Sequence, residues 1–303
     1  MDISDKFEKG KNIYSYQRID PCFKVNIFLG YNNDGNMSVV IREKGSRQSI
    51  KSSRLIEVCL KRHENGKLAL SFDLLDSSYS SLFLVFCNDL ILVCEKAGKD
   101  KAISQAIDRW KYWVKMFEKK HCQLLDNNQI KGLLGELAVL DKVLIPMYGF
   151  RDSIDGWLGP LMGHKDFEIG ETWYEVKTVN DSAIQLTINS LEQLDADVDG
   201  HLAVVRICET SEAYEFSCNL NTVVSRIASR ITELDVLEKF LKKLETIGYQ
   251  FTKEYEKFNY SIKDVELYSV NYAFPKLTRK NVNKVIGEAK YTILIPEISE
   301  FKE

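Results

Sequence analysis

The stretch His164-Lys-Asp166-Phe-Glu-Ile-Gly170-Glu-Thr-Trp-Tyr-Glu175-Val-Lys-Thr178 decides how this chain is read. Residues 166–169 and 172–178 read as paired strands turned by Gly170-Glu171. Side chains alternate across a strand, so Trp173, Glu175 and Lys177 share one face, and Tyr174, Val176 and Thr178 the other. One acid and one base therefore project side by side, and the turn folds Asp166 back toward Glu175. Two carboxylates near 4 Å repel by roughly 4 kcal/mol at an effective dielectric of about 20, so something must offset them. A divalent cation held by both is one answer, and hard oxygen ligands favour magnesium or manganese. A shared proton, or Lys177 alone, is the other. Lys177 beside a bound metal could orient or deprotonate a water and stabilise charge on a pentacovalent phosphorus, parts that suit phosphodiester hydrolysis.

Upstream, residues 128–144 read as a helix carrying Glu136. Its neighbours three and four residues away are Gly132, Leu133, Val139 and Leu140, so this carboxylate is bordered by small and apolar groups and wants a cation. Gly132 and Gly135 each cost about 1 kcal/mol in a helix relative to alanine; close approach of another backbone would explain them. Downstream, strands are expected at 183–188, 202–208, 265–272 and 291–295, and helices at 222–231 and 234–247. Ser190-Leu-Glu-Gln193 reads as a capping box opening a short helix. The alternation is an α/β pattern.

The 303 residues make about two domains at roughly 150 residues each. With 45% hydrophobic and 28% charged residues, the chain is an ordinary globular one with a sizeable core. Net charge is −3 overall, but +6 over residues 1–120 and −9 over 121–303. The first part is rich in strand signals. Residues 25–30 and 37–42 flank Asn33-Asp34-Gly35, 55–61 and 68–74 flank Asn65-Gly66, and 82–87 and 90–94 flank Asn88-Asp89, predicting three hairpins. A helix over 101–119 follows, whose stripe of Ile103, Ile107, Trp110, Trp113, Val114 and Phe117 reads as a helix packed between domains. The expected division is a β-rich domain with a long helix over 1–120, for recognition or partner binding, and a second domain over 121–303.

Other chemistries find no support. The seven cysteines are scattered without a CxxC pair, against a zinc site or disulfide framework. No secretory leader is read at the N-terminus. Asn88-Asp89 splits the most apolar run into halves too short for a bilayer, which needs ~20 apolar residues. The expectation is a cytoplasmic protein without membrane contact. Gly132 to Gly135 is not a P-loop, and no GxSxG motif is present. His164, two residues before Asp166, reads as a loop histidine rather than a metal ligand. Basic residues gather between Arg42 and Lys67, net +5, including Arg47, Lys51 and Arg54 on a polar stretch suited to phosphate contact. A second cluster is Lys276, Arg279, Lys280, Lys284 and Lys290.

A glutamate on a helix, then Asp, then Glu-x-Lys on a hairpin resembles the PD-(D/E)XK nuclease superfamily. More narrowly, the chain resembles PD-(D/E)XK proteins encoded near bacterial restriction-modification and phage-defence genes. The similar stretches are Lys131-Gly-Leu-Leu-Gly-Glu136-Leu, Trp157-Leu-Gly-Pro160, Asp166-Phe167, Glu175-Val-Lys-Thr178, Ile188-Asn-Ser-Leu-Glu-Gln-Leu194 and Phe274-Pro-Lys-Leu-Thr278. The resemblance implies a β-rich N-terminal domain followed by a restriction-endonuclease-like mixed sheet flanked by helices. It implies that Asp166 and Glu175 bind Mg²⁺, or Mn²⁺ in its place, helped by the Val176 carbonyl and by Glu136 directly or through water. Lys177 would be the catalytic lysine, and Gln185 and Gln193 would support the site or touch the nucleic-acid backbone. The residue before Asp166 is Lys165, not the proline of the superfamily's motif, which many members also lack; a lysine there could meet a phosphate. The expected activity is metal-dependent cleavage of DNA in a restriction or phage-defence system, as a homodimer or with other defence subunits. The alternatives are a non-catalytic DNA-binding or assembly subunit, or a nuclease for RNA or branched DNA.

Overall fold

The computed structural model describes residues 3, 6–7, 16–63, 66–118, 124–161 and 165–303. The chain forms two compact units, one of Met1–Cys122, Ser225–Leu237 and Phe251–Lys253, the other of Gln123–Val224, Glu238–Gln250 and Glu254–Glu303. The boundary expected near residue 120 and the histidine at 164 lie outside the described residues.

In the first unit, strands β1 (Gln17–Arg18), β2 (Ile27–Tyr31), β3 (Met37–Glu43), β4 (Ile56–Arg62) and β5 (Leu68–Leu74) form one antiparallel sheet ordered β1-β2-β3-β5-β4. The Asn33-Asp34-Gly35 turn forms as read: Gly35 takes φ 79°, and the Asn32 side chain accepts from the backbone N–H groups of Asp34 and Asn36. The third expected hairpin does not form. Its two apolar halves are one helix, α1 (Ser80–Ala97). The Asn88-Asp89 pair that read as a turn is buried in mid-helix. Asn88 Nδ2 donates to the carbonyls of Ala228 and Ile231, at 2.9 and 3.1 Å. Asp89 takes Arg109 Nε and Nη2 at 2.6 and 2.7 Å and Trp113 Nε1 at 2.6 Å. By length and composition this helix could cross a bilayer, but most of it is buried in the fold.

The second helix, α2 (Ala102–Glu118), carries the aromatic stripe. Trp110 lies 5.5 Å from Phe72 of β5 and 5.7 Å from Phe86 of α1, and Trp113 lies 5.5 Å from Phe86. The expectation of an inter-domain stripe is corrected: these rings fill the core of the first unit.

The second unit opens with α3 (Asn127–Val139), held at its start by a capping box between Asp126 and Gln129. A π-helical turn (Leu140–Leu144) leads into α4 (Ile145–Asp155). Strands β6 (Phe167–Ile169), β7 (Thr172–Asn180), β9 (Gly200–Glu209) and β10 (Tyr260–Val270) form a mixed sheet ordered β10-β9-β7-β6, with β7 and β9 parallel. Strand β8 (Gln185–Ile188) pairs with β11 (Tyr291–Leu294) as a separate ribbon. Between β9 and β10 run α5 (Leu220–Arg230) and α6 (Leu234–Ile247). Trp173, Leu186, Ile188, Leu202 and Val204 belong to a core of fully or nearly buried side chains. The architecture is the expected one: an antiparallel β-rich part, then a mixed sheet flanked by helices.

Candidate active site

The β6–β7 hairpin turns at Gly170, whose φ of 62° suits glycine. Asp166 immediately precedes β6, and its Oδ2 accepts the backbone N–H of Val176 at 2.7 Å. That bond ties the acid beside Glu175, which is 2% exposed on β7. Glu175 Oε1 accepts from Lys177 Nζ at 2.8 Å, as two residues on one strand face can. Gln193 Oε1 also accepts from Lys177 Nζ, at 3.0 Å, and from the Asn189 backbone N–H at 2.7 Å. The capping box read at Ser190 is thus not made: Ser190 caps nothing with its side chain, and the Gln193 amide turns to the lysine.

Glu136 reaches the site from α3, where Trp157 Nε1 donates to its Oε2 at 2.7 Å. The indole is stacked on Phe167 and packs on Phe240. Lys243 Nζ, capping the carbonyls of Ile154, Asp155 and Trp157, secures the segment behind it. A methyl at Gly159 would come 2.5 Å from Glu136 Oε2 and 3.4 Å from Asp166 Oδ1. The glycine therefore leaves space beside two acids at once. These are the functional contributions that sequence reasoning missed. Trp157-Leu-Gly-Pro160 stood out only as a similar stretch, and nothing local assigns the indole to a carboxylate 21 residues away.

A cavity of about 300 Å³ collects these groups: Glu136, Asp166, Glu175, Val176, Lys177 and Gln193 line it, as do Asn128, Lys131, Gly132 and Thr178. Burial is the main cause that raises all three carboxyl groups above their ordinary range. Glu175 is pushed up to about 7, by burial first and then by Asp166, with Lys177 opposing. Glu136 is raised by burial and by Asp166, against the Trp157 bond. For Asp166 the Val176 N–H pulls the other way. Two lysines, Lys131 and Lys177, line the cavity with three acids, so it is short of positive charge when all are ionised.

Other expected residues sit elsewhere. Lys165 does not face a phosphate site. It is buried, donating to the carbonyls of Glu192, Gln193 and Asp195 at 2.6, 2.8 and 3.0 Å, with Trp173's ring 4.2 Å away. All three of its donors are occupied. Gln185 is exposed on β8 and does not line the cavity. Arg47, Lys51 and Arg54 are exposed on the β3–β4 connection of the first unit. In the second basic cluster, Arg279 is paired with Glu192 and Lys280 with Asp197. The close approach of another backbone expected at the helical glycines is corrected: at Gly135 a methyl would overlap a side chain, Thr178 Oγ1, and at Gly132 it would meet nothing within 4 Å beyond its own helix backbone.

A hard divalent cation suits the donor chemistry, which is carboxylate and carbonyl oxygen throughout, and would supply the missing positive charge. Among the described residues, however, no three His, Cys, Asp or Glu side chains stand at ligand spacing. The acids are instead engaged by Trp157, the Val176 N–H and Lys177.

A mixed sheet bearing Asp and Glu-x-Lys on a hairpin, beside a helix that carries a further glutamate, is the layout of the PD-(D/E)XK class. Residues 5–296 match the family described as "Putative PD-(D/E)XK family member" (DUF4420), and the chain belongs to that family. No curated protein and no solved structure matches it.

Proposed function

We propose that this chain is a metal-dependent phosphodiester hydrolase of nucleic acid, with DNA cleavage in a restriction or phage-defence system as its role. One observation carries the reading: three acids, with Lys177 bonded to one of them and Lys131 nearby, converge on one cavity with fewer basic than acidic groups. Such a cluster opposes folding unless a cation is bound, so its presence argues for a function. Asp166, Glu175 and the Val176 carbonyl, with Glu136, are the groups that would hold Mg²⁺ or Mn²⁺. Bound there, the ion would polarise a phosphate oxygen and acidify water. Lys177, steadied by Glu175 and Gln193, would orient an attacking water and offset charge on the phosphorus. Trp157 keeps Glu136 turned into the cavity. Arg47, Lys51 and Arg54 would add phosphate contacts, and a homodimer would suit two antiparallel strands.

A second reading has its own support. The absence of three acids at ligand spacing among the described residues, and the Glu175–Lys177 ion pair, favour a fold retained as a non-catalytic nucleic-acid-binding or assembly module. Incubating purified protein and Mg²⁺ or Mn²⁺ with supercoiled plasmid, branched DNA and RNA, beside Glu175→Ala and Lys177→Ala, separates the two. Cleavage by wild type alone supports the hydrolase and identifies its substrate. Binding without cleavage of any of them supports the module.

A further inference from the structure

Gly132 lies inside α3, where glycine weakens a helix relative to alanine. Gly135, one turn on, has a packing reason, since a methyl there would overlap Thr178. Gly132 has none, because a methyl there would meet nothing within 4 Å beyond its chain neighbours and its own helix backbone. Nor is it simply a surface position. It lines the cavity, and Asn128, Gly132 and Glu136, spaced four apart, share one helix face. What a side chain at 132 would exclude is therefore something that enters the cavity.

We propose that Asn128, Lys131 and Gly132 form a seat for the sugar-phosphate backbone, taking a phosphate that adjoins the one at the carboxylates. This deepens the hydrolase reading and rests on it. The chemistry is that of phosphate recognition. Lys131 brings a cation and Asn128 two amide donors. Lys131 Nζ is 2.8 Å from Glu209 Oε1, but that carboxylate is 66% exposed, and so solvated a pair holds the lysine weakly against a phosphate. Gly132 supplies the room. The cavity is thus acidic at Glu136, Asp166 and Glu175 and cationic at Lys131, which orients a strand laid through it.

The test uses the full chain with Lys177→Met, so that the strand stays intact. Binding of fluorescein-labelled duplex DNA and of single-stranded RNA is read by anisotropy over a range of salt, alongside thermal unfolding. Gly132→Ala should raise Tm by about 2–4 °C and weaken binding about tenfold, and Gly132→Leu should weaken it further. Lys131→Ala should lower affinity and reduce the salt slope by about one. Stability and affinity moving in opposite directions is a result that a structural glycine cannot produce. If Gly132→Ala binds as its parent does, or unfolds at lower temperature, the seat is wrong and the hydrolase reading is untouched. If the parent binds neither nucleic acid, both fall together.

Discussion

Glu136, Asp166 and Glu175 are acids kept where water solvates them poorly, and the sign of their shifts has a consequence for stability. A carboxyl raised above its unfolded value ionises first in the unfolded chain. Its contribution to stability is complete below the ordinary carboxyl range and is lost as pH rises through the folded value, about 7 for Glu175. In EDTA the protein should therefore lose stability between about pH 4.5 and 8 from this cluster. Glu136→Gln, which can still accept from Trp157, should flatten that fall and gain on the order of 1–2 kcal/mol at pH 8. Urea unfolding at several pH values measures both, and a variant no more stable than wild type at pH 8 would contradict the shift. At this scale much was legible. Asp166, Glu175 and Lys177 follow from strand alternation and one turn, and Glu136 from its apolar helix neighbours. Trp157 and Gly159 were not, because an indole's partner and the space beside a glycine depend on distant chain.

At the scale of elements, α1 is the instructive case. A short apolar run does not reveal its period when every side is buried, so 82–94 fits two strands or one helix equally well. Asn88 and Asp89 looked like turn residues because they interrupt apolar sequence. In the helix they are instead its buried polar anchors, satisfied by two backbone carbonyls, an arginine and an indole. Asp89→Gly discriminates sharply. It would create Asn-Gly, the favoured hairpin turn, yet in the helix it removes the buried carboxylate that takes Arg109 and Trp113 and adds a helical glycine. The expected loss is about 3–5 kcal/mol by denaturant unfolding; unchanged or higher stability would point to a hairpin. Gln193 teaches the same lesson on a smaller scale. Ser-x-x-Gln is a local capping signal, but Lys177 competes for the amide, and the lysine wins.

For the molecule as a whole, the charge deficit of the cavity predicts how it responds to metal. Mg²⁺ or Mn²⁺ at about a hundred times its Kd should stabilise the fold by about 2.7 kcal/mol. Differential scanning calorimetry with and without the ion reads this, and Asp166→Ala should abolish the response. A wild-type protein indifferent to both ions would favour the non-catalytic module. The family match, over residues 5–296, extends across both units, the β-rich part included. The first unit also recruits Ser225–Leu237 and Phe251–Lys253. No sequence boundary marks that exchange, since a helix carries no local sign of which core its face will join.

The sequence by itself determined the order of most elements, the β-rich and mixed-sheet halves, the hairpin with its acid pair and lysine, and the helix that carries a third acid. These are properties of period, turn chemistry and spacing, which act over a few residues. Only the tertiary structure decided that 80–97 is a helix, that Lys165 is locked to three carbonyls instead of meeting phosphate, that Gln193 rather than Gln185 reaches the cavity, and that an indole holds Glu136. Each of these outcomes is a competition for a buried hydrogen bond or a core position among groups far apart in the chain. Such competitions are settled by which partner is near enough to replace water, and packing alone sets that distance.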